Sequence, residues 1–172
     1  MIKKKICLIG GFAVGKTSLV QQYVKGLFSE DYLTTVGVKI DQRQEEIQGQ
    51  QVLLMIWDLA GRDQFAAVKK SYLRGADGFL FVADGTRRET LEAVAEELSE
   101  ISQDFPQAKA RLLVNKCDLR SEWEVSEDDL RPFVELGLTV DYTSAKARTG
   151  VSEAFHALAA SLIQKGGGDR DD

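Results

Sequence analysis

The sequence predicts an α/β domain whose mainly parallel sheet is covered on both faces, and three observations carry that reading. Apolar runs of strand length alternate with amphipathic helical stretches, the pattern left by helices crossing over a parallel sheet. Two strand-like stretches, 36–47 and 51–57, are separated only by Gln48-Gly49-Gln50, which implies one antiparallel hairpin. Polar clusters fall at the carboxyl ends of successive apolar runs, where open α/β sheets take their ligands. The 172 residues suffice for one well-buried domain and are short for two.

The first strand is marked by Ile6-Cys7-Leu8-Ile9, and Lys3, Lys4 and Lys5 before it read as its solvated start. A glycine-rich turn, Gly10-Gly11-Phe12-Ala13-Val14-Gly15-Lys16-Thr17-Ser18, leads into a helix with Leu19, Val20, Tyr23, Val24 and Leu27 on one face. Residues 28–35 are polar, carry Phe28, Tyr32 and Leu33, and have no clear period, so they form a loop beside that turn. After the hairpin, Asp58-Leu59-Ala60-Gly61 ends the second strand, and a helical stretch places Phe65, Val68 and Tyr72 inward. Phe79-Leu80-Phe81-Val82-Ala83 is a buried strand ending at Asp84. A long helix with Leu91, Val94, Leu98, Ile101 and Phe105 inward closes at Pro106. The strand Arg111-Leu112-Leu113-Val114 runs into Asn115-Lys116-Cys117-Asp118. Ser126-Glu127-Asp128-Asp129 reads as a capping-box start for a helix holding Leu130, Phe133 and Val134, which Gly137 stops. Leu138-Thr139-Val140 makes the last strand, followed by Thr143-Ser144-Ala145-Lys146. The final helix faces Val151, Ala154, Phe155, Leu158 and Leu162 inward.

Composition removes several classes of function. A net charge of −5 offers no basic footprint for nucleic acid. No apolar run reaches the length of a membrane span, no signal peptide precedes the first strand, and no cysteine near the end of the sequence stands ready for a prenyl group. The two cysteines, Cys7 and Cys117, lie in patterns that suggest burial, which fits a reducing compartment. A cytoplasmic monomer is the expectation, with a domain over residues 1–165 and a flexible acidic tail over 166–172.

The spacing G-x-x-x-x-G-K-T over Gly10–Thr17 is that of a phosphate-binding loop placed, as it must be, between a strand and a helix. Its glycines let successive backbone N–H groups of Ala13, Val14, Gly15 and their neighbours through Ser18 line one concavity, and the helix N-terminus adds partial positive charge. Lys16 reaches the outer phosphates, and the Thr17 hydroxyl is placed to ligate Mg²⁺. Asp58, after an apolar strand, is the carboxylate such an ion needs, through an intervening water. Gly61 leaves a backbone N–H able to approach a γ-phosphate and gives the chain freedom to move when it departs.

Asn115-Lys116-Cys117-Asp118 points to the base. The Asp118 carboxylate can accept two parallel hydrogen bonds from guanine N1–H and the exocyclic amine; adenine lacks that donor pair and would leave a buried carboxylate unpaired. Asn115 and Lys116 brace the surrounding loops, with the lysine stem along the ring. The Ala145 N–H can meet guanine O6, Lys146 can cover the base from its other side, and Phe28 can pack edge-on against it.

With these residues in place, the chain resembles the Ras superfamily of small GTPases over residues 2–165, through Gly10–Thr17, Thr35, Asp58–Gly61, Asn115–Asp118 and Ser144–Lys146. The stretches Thr35-Val36-Gly37-Val38 and Trp57-Asp58-Leu59-Ala60-Gly61 are most similar to the Rab branch, whereas Ala13–Thr17 is similar to Rho proteins. The missing prenyl cysteine suits a prokaryotic member. The resemblance implies a P-loop GTPase fold, a six-stranded sheet with one antiparallel strand and five helices. It implies that Tyr32 joins the nucleotide-binding residues, and that Thr35 joins Mg²⁺ and the γ-phosphate in the GTP state. It also implies that Tyr32–Val38 and Gly61–Tyr72 are two switches through which effectors, exchange factors and activating proteins bind.

Two residues depart from that pattern. Arg62 stands where the family has a glutamine that orients the attacking water, and a guanidinium has no acceptor for a water proton. Gln64 lies two residues on, displaced by up to ~7 Å. Arg62 is therefore either a defect that slows hydrolysis or a cation that stabilises developing charge in cis. Phe12 replaces a small residue near the place where a partner inserts an arginine, and it either crowds that approach or packs outward. Three readings follow: a switch with slow hydrolysis, a pseudo-GTPase scaffold that holds guanine nucleotide, and an ATP-using P-loop enzyme. Other residues read as structural: His156 on the final helix, Trp123 as a cover for the sheet end, and an inert Cys117 thiol.

Overall fold

The computed structural model describes residues 1–26, 37–59 and 66–163, the last with the side chains of 66–69 excepted. Among them the chain runs β1 (Ile2–Gly10), α1 (Lys16–Lys25), β2 (Val38–Ile47), β3 (Gln50–Leu59), α2 (Ala66–Leu73), β4 (Gly78–Asp84), α3 (Glu89–Asp104), β5 (Lys109–Asn115), α4 (Glu127–Glu135), β6 (Thr139–Tyr142) and α5 (Val151–Ile163). The strands form one sheet in the order β2-β3-β1-β4-β5-β6, parallel throughout except for the β2–β3 pair. This is the expected α/β architecture, the P-loop GTPase fold with six strands and five helices. The chain leaves central β1 on one side toward β3 and returns on the other at β4, so the turn after β1 sits at the topological switch point.

Alternation along each strand divides the core. Ile6, Leu8, Leu54, Ile56, Leu80 and Val82 face α1 and α5; Cys7, Ile9, Phe79, Phe81, Leu112 and Val114 face α3, α4 and Leu73 of α2. On the first face Tyr23 of α1 stacks on Phe155 of α5, ring centroids 4.1 Å apart and planes 4° from parallel. Cys7 is fully buried, and burial pushes its thiol up to about 12. Leu162 is only half-buried at the margin of that core.

Several boundaries differ from the sequence reading: β5 begins at Lys109 and β6 runs Thr139–Tyr142 rather than over 138–140, and three further shifts matter to the site. The first strand begins at Ile2, so the lysines belong to it. Lys5 is more than a solvated start: its Nζ lies 3.6 Å from the centroid of the Trp57 ring and donates to the carbonyls of Tyr72 at 2.5 Å and Arg74 at 2.8 Å. It thereby satisfies carbonyls at the C-terminus of α2. The hairpin turn is Gln48-Gly49 alone, both at positive φ (52° and 77°), the two-residue geometry that matches strand twist. β3 continues to Leu59, so Asp58 lies inside the strand, opposite Leu8 and Lys39, rather than after it. Val134, read with Leu130 and Phe133 as held by the α4 helix, is instead exposed, because it falls on the solvent side of that helix. Ser126 and Asp129 form a reciprocal capping box at α4. Trp123 lies where a Cβ on Gly85 would be, near Tyr142, and covers the carboxyl end of the sheet.

Candidate functional site

Residues 11–15 link β1 to α1, and their backbone is turned in two places: Ala13 has φ 58° and Gly15, the residue before the helix, φ 99°. Both glycines that frame the loop are required by neighbours. A Cβ on Gly10 would stand 2.5 Å from the Val82 carbonyl oxygen, and one on Gly15 would overlap the Asn115 side-chain amide. The loop is thus shaped by β4 on one side and by the end of β5 on the other.

Three consecutive loop carbonyls are held from outside. Arg87 Nη2 donates to Phe12 O at 2.8 Å, Lys116 Nζ to Ala13 O at 3.1 Å, and Asn115 Nδ2 to Val14 O at 3.0 Å. Each peptide unit is planar and trans, so an oxygen fixed outward sends the following N–H to the opposite side. The N–H groups of Ala13, Val14 and Gly15 therefore line the inner concavity, a ready anion cradle. Lys16 is 7% exposed and its Nζ folds over the loop, 3.3 Å from Gly10 O and 3.4 Å from Gly11 O. Ser18 lies in the first turn of α1. The Phe12 ring is 46% exposed, so it does not enter the core behind the loop.

Beside the cradle, Thr17 Oγ1 donates to Asp58 Oδ2 at 2.5 Å, and Asp58 is fully buried. A hydroxyl and a carboxylate side by side at the phosphate end are hard oxygen donors, which suits Mg²⁺. Among the described residues no group of three or more His, Cys, Asp or Glu could cage a metal. The donor set fits an ion carried mainly by substrate phosphates and water, with one carboxylate behind them.

The base end is built by two loops bolted together. Thr143 Oγ1 donates to Asn115 Oδ1 at 3.0 Å, the Cys117 N–H to Thr143 O at 3.0 Å, and the Thr143 N–H to Val114 O at 3.0 Å. Ser144 Oγ donates to Asp118 Oδ1 at 2.7 Å and accepts the Ala147 N–H at 2.9 Å, which orients the carboxylate. Ala145 is buried behind it and Lys146 is exposed. Asp118 itself is exposed, so the burial expected of its carboxylate is not supplied by the protein alone. Cys117 is half-buried, and burial, then the neighbouring Asp118 charge, raises its thiol above the ordinary value.

The structure brings together Ala13, Val14, Gly15, Lys16, Thr17, Ser18, Asp58, Asn115, Lys116, Asp118, Ser144, Ala145 and Lys146 around the carboxyl end of the sheet. Phe28, Tyr32, Thr35, Gly61, Arg62 and Gln64 lie outside the described residues, as does the tail after 163. His156 is remote, on α5, with Nδ1 3.3 Å from Glu45 of β2.

Sequence reasoning missed Asp84. It is fully buried at the end of β4, with Thr86 N and Oγ1 on its Oδ1 (2.9 and 2.7 Å) and Lys116 Nζ and Arg87 Nε on its Oδ2 (2.8 and 3.1 Å). Burial alone would raise its carboxyl. The hydrogen bonds from Lys116 and Thr86 and the Lys116 charge outweigh burial and hold it below the ordinary carboxylate range. Its position at a strand end was a usable signal. Arg87 had none, because its loop partner is a backbone carbonyl.

A sequence model of the Ras family matches residues 5–164. The chain is 33% identical to the Ras-related protein Rab-13 of Canis lupus familiaris over 96% of this chain and 83% of that protein. It is 38% identical to the Ras-related protein RABD2c of Arabidopsis thaliana over 92% of this chain and 79% of the relative. To the Ras-related protein RABA5e of the same plant the identity is 42%, over 90% and 72% respectively.

Proposed function

The chain belongs to the Ras family of small GTPases and is Rab-like, and from that premise we propose a Mg²⁺-dependent guanine-nucleotide switch whose own GTP hydrolysis is slow. A GTP-binding regulatory switch is what the family membership establishes; the metal dependence, the rate and the residue roles are the proposal. The observation that carries it is the physical joining of base and phosphate ends, with Asn115 and Lys116 bonded to the loop at Val14 and Ala13.

In this reading the N–H groups of residues 13–18 and the Lys16 ammonium hold the β- and γ-phosphates. Asp118 pairs with guanine, the Ala145 N–H meets its O6, and Lys116, Lys146 and Phe28 flank the ring. Tyr32 joins the nucleotide-binding residues. Thr17, Thr35 and, through water, Asp58 would hold Mg²⁺, which would neutralise phosphate charge. Water attacks the γ-phosphate in line and GDP leaves. Lys16 and the loop N–H groups stabilise charge on the transferring group, and Gly61 contributes its N–H. Little covalent chemistry is asked of the protein, so positioning the water matters most. Arg62 cannot accept a water proton, and Gln64 is displaced from the position that would align it. Slow hydrolysis follows.

Effectors, exchange factors and activating proteins would read Tyr32–Val38 and Gly61–Tyr72. No helix among the described residues is long and apolar enough to cross a membrane, and the protein is proposed to act in the cytoplasm as a monomer. A pseudo-GTPase scaffold is the second reading, favoured by Arg62 and the exposed Phe12. Single-turnover hydrolysis of wild type, Arg62→Gln and Arg62→Ala tests the rate. Faster hydrolysis in Arg62→Gln supports a brake at this position; slower hydrolysis in both variants makes Arg62 catalytic and overturns it. GTP that survives intact for days in the wild type favours the scaffold.

A further inference from the structure

Arg87 sits in the turn between β4 and α3, and that turn is rigid. The Arg87 N–H donates to Asp84 O at 3.0 Å, and the Arg87 carbonyl accepts the Thr90 N–H at 3.1 Å and the Thr90 hydroxyl at 2.7 Å. Thr90 Oγ1 in turn accepts the Asp84 N–H at 2.9 Å. From this base the guanidinium spans two acceptors, Asp84 Oδ2 at 3.1 Å and Phe12 O at 2.8 Å. Lys116 also spans two acceptors, the same Asp84 oxygen at 2.8 Å and the next loop carbonyl, Ala13 O, at 3.1 Å. One buried carboxylate therefore anchors two cations, and each ends on one of two consecutive loop carbonyls. Without the Asp84 charge between them, two cations this close would repel.

We propose that Arg87 is a positioning residue that clamps the phosphate loop through the Phe12–Ala13 peptide, and so sets how long a nucleotide stays bound. Its role needs no contact with the nucleotide, because it acts through the loop backbone. By holding Phe12 O outward it holds the Ala13 N–H inward, because the two belong to one planar peptide unit. Two features equip Arg87 as a clamp, since its planar fork bonds two acceptors at once and its backbone is already fixed. An exchange partner that acts on the loop would have to break this clamp. The inference rests on the guanine-nucleotide reading above.

The test is release of a fluorescent GDP analogue from the full chain, measured for wild type, Arg87→Ala, Arg87→Met and Arg87→Lys. The affinity ratio of GDP to inosine diphosphate is measured in parallel. Inosine lacks the exocyclic amine, so this ratio reports the Asp118 end alone. Expected are release about tenfold faster in the Ala and Met variants, the scale of one hydrogen bond from a charged donor, recovery of at most part of the loss in Arg87→Lys, which lacks the fork, and an unchanged base ratio. The Met variant keeps the aliphatic stem, so faster release there is not a packing effect. Release at the wild-type rate in both, full recovery with lysine, or a shifted base ratio would each overturn the clamp. Wild type that holds no guanine nucleotide overturns the underlying reading and the clamp with it; wild type that holds it with unaffected variants overturns the clamp alone.

Discussion

The Asn115 side-chain amide donates to the Val14 carbonyl oxygen at 3.0 Å, across 101 positions of sequence. The same amide occupies the space a Cβ on Gly15 would need. One residue of the Asn115–Asp118 motif thus dictates both the orientation and the size limit of the Gly10–Thr17 loop.

Gly15→Ala should therefore remove nucleotide binding while leaving the sheet intact. The new methyl meets Asn115, and a φ of 99° costs an L-residue about 1–2 kcal/mol. Asn115→Ala should weaken GDP binding without the backbone strain. Isothermal titration with GDP separates the two: the alanine at 15 should bind less tightly than the alanine at 115.

Asp118→Asn should turn base preference around. Ser144 orients the carboxylate at 2.7 Å, and replacing it by an amide presents a donor where guanine also presents donors. GDP affinity should fall by at least about 100-fold, two hydrogen bonds to a charged group being lost. Xanthosine diphosphate, with a carbonyl in place of the exocyclic amine, should gain. An unchanged GDP affinity would remove Asp118 from the base site.

Chelation should speed nucleotide release. With Thr17 and Asp58 joined at 2.5 Å, EDTA is expected to accelerate GDP dissociation several-fold in the wild type. Thr17→Ala should already release quickly, and EDTA should add little. Equal acceleration in both would place the metal elsewhere.

Asp84 predicts a pH dependence. Its carboxyl is held below the ordinary carboxylate range in the folded chain, so the charged form stabilises the fold. That contribution is complete above the unfolded value and is lost as pH falls through the lower folded value. Asp84→Asn should be less stable than wild type by about 1–3 kcal/mol at pH 7, the scale of hydrogen bonds lost from a buried charged acceptor whose cations are partly exposed. In urea unfolding the difference should shrink once pH drops below about 4. A gap that stays constant down to about pH 2 would mean that charge is not what Asp84 contributes.

Much of the fold was legible because periodicity and punctuation report local geometry. The capping box at Ser126 and the positive-φ turn at Gln48-Gly49 are written in adjacent residues. The site was legible where chemistry needs a fixed spacing, as at Gly10–Thr17 and Asn115–Asp118. Contacts that end on backbone atoms were not. Arg87 on Phe12 O and Lys5 on Tyr72 O pair a side chain with a carbonyl, which every residue has, so no residue type marks the partner. The extension of β3 through Asp58 was hidden for a related reason. Strand ends are set by pairing with Leu8 and Lys39, and a carboxylate inside a strand reads as its end.

The most direct test of the central claim is competition for the nucleotide on the purified chain. A fluorescent GDP analogue is loaded with Mg²⁺ and challenged with excess GDP, GTP or ATP. The account predicts that GDP and GTP displace it and that ATP does not, because adenine offers Asp118 no donor pair. Displacement by ATP as effective as by GDP would contradict it.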